Sequence, residues 1–93
     1  MEKLLTLLKE LYDDQNNIYQ EDGFTGFNEC DIYNEVTALC DEYLIGNGGC
    51  CNWTNINILR NNGYRVFAGE KDSFGWLIGC VQKQGDPRII VYG

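Results

Sequence analysis

A change of apolar rhythm near Gly63 constrains this chain more than any other feature. Before it, apolar residues recur with helical spacing, and after it they alternate. Leu4, Leu7, Leu8, Leu11, Ile18 and Tyr19 fall at spacings of three, four and seven, which predicts an amphipathic helix from residue 2 to about 20. Residues 21–27 then read as a loop, with Gly23 and Gly26 permitting unusual backbone angles. Asn28 is placed to cap a second helix over 29–44, whose apolar face is Ile32, Val36, Leu39, Cys40 and Tyr43. After the glycine-rich stretch 46–49, residues 53–61 alternate Asn55-Ile56-Asn57-Ile58 like a strand, yet Trp53, Ile56 and Leu59 share a helical face. The helix-stop chemistry of Asn61-Asn62-Gly63 favours a helix. Strands are predicted at 64–68, 76–83 and 88–92, separated by turns at 70–75 and 84–87. The expected fold class is α+β. Three helices precede a three-stranded antiparallel meander, the helices pack on one sheet face, and residues 1–93 form a single domain.

A domain of 93 residues buries only roughly 60 to 65 per cent of its unfolded surface, so its core is thin. Twelve aromatic residues and an overall hydrophobic content of 44% place it among globular chains. Lys9 and Glu10 interrupt the apolar start, so a signal peptide is not expected, and no stretch approaches the ~20 apolar residues that span a bilayer. The expected location is therefore cytoplasmic, where the Asn52-Trp53-Thr54 tripeptide carries no glycan and thiols stay reduced.

Most catalytic constellations are missing their parts. The chain has no histidine, which removes the usual proton shuttle and the Ser-His and Cys-His pairs, and Ser73 is its only serine. Adjacent acids such as Asp13-Asp14 or Asp41-Glu42 point in different directions on a helix. Asp13, Gln15 and Asn17 resemble the start of a calcium loop, but Ile18 and Phe24 stand where it needs glycine and glutamate. The stretch 46–49 lacks the Gly-Lys-Ser/Thr ending of a phosphate loop. An enzyme is not expected.

Charge is divided unevenly along the chain. Residues 1–45 hold eleven acids against Lys3 and Lys9, a net of −9, while residues 46–93 carry +2, giving −7 in all. An acidic half of this kind repels phosphate backbones and attracts basic surfaces, most strongly at low salt, although acidic helix faces also serve solubility alone. Glu35, Asp41 and Glu42 on the second helix are the candidate contacts, with Phe74 at the predicted hairpin tip as an apolar anchor.

Five cysteines need an explanation in so small a core. One reading makes them small buried hydrophobes, a role that suits Cys40 and Cys80. The other is a structural zinc held by thiolates. Cys30 and Cys40 lie ~15 Å apart along one helix and cannot share a metal, so the best set is Cys40, Cys50, Cys51 and Cys80. The start of the third helix would favour thiolates at Cys50 and Cys51. No Cys-x-x-Cys spacing supports a redox role.

Short length, abundant asparagine and tyrosine, the acidic stretches 13–22 and 29–42, and the absence of a catalytic set resemble the small acidic anti-CRISPR proteins of phages that inhibit type II Cas9. The resemblance is one of overall profile and transfers no residue by position. It implies a stoichiometric inhibitor, acting in the cytoplasm of a bacterial host, that binds a basic surface of a nucleic-acid-handling protein and blocks DNA loading or cleavage. The alternative is a winged-helix-like DNA-binding regulator, reading bases with Thr54, Asn55, Asn57 and Arg60 and using residues 70–75 as a wing. Its net negative charge opposes that reading. A zinc-stabilised adaptor domain is the second alternative.

Overall fold

The computed structural model describes residues 1–46, 50–71 and 77–93. Its elements are α1 (Glu2–Asp13), β1 (Tyr19–Glu21), β2 (Phe24–Gly26), α2 (Asp31–Leu44), α3 (Trp53–Asn61), β3 (Tyr64–Lys71), β4 (Leu77–Lys83) and β5 (Ile89–Tyr92). The mixed class and the antiparallel β3-β4-β5 meander match expectation. One part of the expected order does not, because a separate two-stranded sheet, β1-β2, stands between the first and second helices.

The first helix is therefore shorter than its apolar spacing suggests. It stops at Asp13, at the head of a polar run 13–17 in which the Asp14 carboxylate accepts the Asn16 N–H at 3.1 Å. That local bond offers the backbone a turn in place of another helical one. Beyond it, Tyr19 to Glu21 pairs antiparallel with Phe24 to Gly26 around a two-residue loop, Asp22-Gly23. Both loop residues have positive φ, 50° and 79°, the requirement of the hairpin turn that Asp-Gly favours.

Asn28 does not cap α2. Its N–H donates to Asn17 Oδ1 at 2.6 Å and its side-chain amide to the Ile18 carbonyl at 3.2 Å, while Asn17 Nδ2 donates back to the Asn28 carbonyl at 3.2 Å. The two asparagines clasp the base of the hairpin, and Cys30 occupies the cap position of α2 without a side-chain bond. The third helix has the expected bounds, and Asn52 caps it by accepting the Asn55 N–H at 3.2 Å.

Period-two alternation divides the β3-β4-β5 sheet into two faces. Val66 opposes Val81, and Val81 opposes Ile90, on the face turned to the helices, and all three are buried. Against them pack Leu4, Leu8, Leu11 and Tyr12 of α1, Val36, Leu39, Cys40 and Leu44 of α2, and Ile56 and Leu59 of α3. Gly79 opposes Tyr92, whose ring lies where a side chain at Gly79 would project. On the outer edge of the sheet, Arg60 Nη2 donates to the Val66 carbonyl of β3 at 2.9 Å. Among the described residues no helix is long and apolar enough to cross a membrane.

Arg88 ties the first helix to the sheet. It is 1% exposed, and its guanidinium lies over the Phe27 and Tyr12 rings, 4.8 and 5.4 Å from their centroids. Nε and Nη2 grip the Asp86 carboxylate at 3.0 and 2.8 Å. Nη2 also reaches the Tyr12 carbonyl at 2.7 Å, and Nη1 the Asp14 and Asn17 carbonyls at 2.6 and 3.1 Å. Each guanidinium N–H thus has an acceptor, which is the condition for burying such a charge. Tyr12 completes the joint by donating its hydroxyl to the Arg88 carbonyl at 2.8 Å.

Candidate protein-binding surface

The inward residues of α2 fix what it shows to solvent. With Val36, Leu39, Cys40 and Leu44 in the core, the opposite face presents Asp31, Asn34, Glu35, Ala38, Asp41 and Glu42, all exposed. The structure thus brings the candidate contacts Glu35, Asp41 and Glu42 onto one helix face. Asp31 sits in the first turn, where the helix dipole favours a carboxylate, but Asp41 and Glu42 lie near the other end, where it does not, and no basic residue offsets them in the last turn. Asp41 accepts the Gly93 N–H at 2.9 Å. Glu35 pairs with Lys3 of α1 at 2.8 Å, and that partner raises the lysine pKa. Both side chains remain well hydrated, so the pair contributes little to stability.

The β1-β2 hairpin is a second exposed acidic region, one that the predicted long helix concealed. Ile18, Tyr19 and Phe24 are exposed on it, beside Glu21 and Asp22, and the Tyr19 hydroxyl donates to the Glu21 carboxylate. The signal for it was present in the sequence as Asp22-Gly23, flanked by aromatic residues at 19 and 24. The predicted anchor Phe74 lies outside the described residues.

The four candidate zinc ligands occupy different settings. Cys40 is buried in the core, where burial first and the nearby Asp41 charge second push its thiol up to about 12. Cys50 is exposed, while Cys51 is half-buried in a bridge opposite Ile45. Cys80 alternates with Gly79 and Val81 along β4 and so lies on the sheet face away from Cys40. Tyr92 stands between these regions. Its hydroxyl pKa is raised chiefly by burial, with further contributions from Cys40, Cys51 and Cys80. Among the described residues no three His, Cys, Asp or Glu side chains are grouped to hold a metal ion. Cys30, at the start of α2, is exposed and accepts a long contact from Asn17 Nδ2 at 3.7 Å.

On α3, two of the residues considered for base reading are engaged within the fold. Asn55 Nδ2 donates to the Tyr43 carbonyl at 2.8 Å, and Arg60 holds Val66 while its guanidinium lies 5.7 Å from the centre of the exposed Trp53 ring. Thr54 and Asn57 remain exposed. Comparison with known protein families, curated proteins and solved structures found no match.

Proposed function

We propose that this chain is a small stoichiometric inhibitor that docks its acidic half on the basic surface of a nucleic-acid-handling protein, and that Cas9 in a bacterial cytoplasm is such a target. The observation that carries the reading is the state of the carboxylates. All eleven acids of residues 1–45 are exposed, and of these eleven only Glu35 is engaged in an ion pair among the described residues. Most of this charge has no cation paired with it among the described residues, and at the C-terminal ends of α1 and α2 the helix dipole opposes it. A basic partner would offset it, with attraction that steers association. Internal use of Asn55 and Arg60 leaves the DNA-binding alternative with less support.

The test is a cleavage assay in which the chain is mixed with guide-loaded Cas9 before target DNA is added. Inhibition near stoichiometric ratio is expected, and full cleavage by several Cas9 orthologues would remove the Cas9 reading. The combined substitutions Glu35→Lys, Asp41→Lys and Glu42→Lys should slow association tenfold or more while leaving the circular dichroism spectrum unchanged. Duplex DNA should show no mobility shift at micromolar protein. A salt-sensitive shift there would favour the winged-helix alternative.

A further inference from the structure

Among the described residues, the helices cover one face of β3-β4-β5 and leave the other bare. On the bare face Phe67, Cys80 and Val91 stand side by side, because the register pairs Phe67 with Cys80 and Cys80 with Val91. Phe67 is 66% exposed and Val91 45%. Beside them runs a shallow groove of about 300 Å³ lined in part by Arg65, Phe67, Cys80 and Gln82. Single exposed apolar side chains are ordinary, but Phe67, Cys80 and Val91 stand in register across every strand of the sheet and form one contiguous apolar row.

We propose that this surface joins two copies of the chain, packed sheet to sheet about a two-fold axis parallel to the strands. Since β4 is the central strand, an axis over β4 lays β3 of each copy on β5 of the other. Phe67 then meets Val91 of the second copy, and Cys80 meets its own counterpart. Charge selects a second copy as the occupant. Arg65 marks the β3 flank, whereas the hairpin bearing Glu21 and Asp22 adjoins the β5 flank, where a Cβ added at Gly26 would lie 3.3 Å from the Ile89 carbonyl. The two-fold operation carries the Arg65 flank of each copy to the acidic flank of the other, twice over. It also leaves both acidic α2 faces on the far sides of the pair, so that two chains of net charge −7 meet where their repulsion is least.

Sedimentation equilibrium of the full chain, from micromolar to millimolar concentration, should show the mass rise from 10.6 kDa to twice that value. Phe67→Ser and Val91→Ser replace exposed side chains, so each should keep its helical signal and stay monomeric. Arg65→Glu should weaken the dimer at least tenfold, and adding Glu21→Arg with Asp22→Arg in the same chain should restore it. Packed sheets lie ~10 Å apart, beyond the ~7 Å Cα separation of a disulfide, but a short bis-maleimide reaches across. With Cys30, Cys50 and Cys51 replaced by alanine and Cys40 shielded in the core, Cys80 should give a covalent dimer that Phe67→Ser abolishes. A single-chain mass up to millimolar concentration, or a dimer that survives both Phe67→Ser and Val91→Ser, overturns the proposal.

Discussion

Arg88 is the residue on which separate parts of the chain depend most. Its bonds to the Tyr12, Asp14 and Asn17 carbonyls fasten the end of α1 and the approach to the hairpin onto the sheet. Arg88→Ala would leave those carbonyls and the Asp86 carboxylate without their donor, and removing one partner of a buried ion pair costs about 3–5 kcal/mol. In a domain whose whole stability is roughly 5–15 kcal/mol, urea denaturation should show a large drop in midpoint. The same contact sets an acid response. The hydrogen bond from Arg88 holds the Asp86 carboxyl below its ordinary value. A depressed carboxylate contributes stability above its unfolded pKa of ~3.9, and the contribution fades as pH falls through the lower folded value. Thermal unfolding followed below about pH 4 should therefore show a steeper loss in the native chain than in Asp86→Asn, which starts less stable at neutral pH.

At the level of elements, apolar spacing was legible where turn and stop residues agreed with it, and misled where they did not. The strand order was readable because Val66, Val81 and Ile90 alternate toward the core, whereas over 53–61 both periods fit and the stop chemistry of Asn61-Asn62-Gly63 decided for the helix. The hairpin was not readable from apolar spacing, because Ile18 and Tyr19 lie seven and eight residues after Leu11 and fit a helix as well as a strand. Turn chemistry at Asp22-Gly23 decided it. Gly23→Val should therefore open the hairpin, since φ of 79° is strained for a β-branched residue, and amide exchange at residues 19–26 should quicken while the core stays protected. The candidate site was legible as composition but not as geometry. Acids at 35, 41 and 42 fall on the solvent face that helix periodicity assigns, whereas the placement of Cys80 depends on strand phase, and a one-residue change of phase would turn it to the core.

For the whole molecule, the uneven charge of the sequence is divided between elements. The acidic half contributes both long helices and the hairpin, while five of the seven basic residues, Arg60, Arg65, Lys71, Lys83 and Arg88, fall in the later half of the chain. Such an arrangement strains itself through long-range repulsion among hydrated carboxylates, which salt screens with a Debye length of ~10 Å at 0.1 M. Added sodium chloride should accordingly raise the melting temperature by a few degrees while weakening any complex with a basic partner. Opposite responses of folding and binding to one variable distinguish this surface from a merely solubilising one, for which only the first is expected. The Arg60 bond to the Val66 carbonyl has a consequence at this scale too. It occupies an acceptor on the free margin of β3, where another chain would otherwise add a strand and a sheet could lengthen without limit. With that margin obstructed, association is turned from the edge to the face, and growth closes after two copies instead of running on as a fibre.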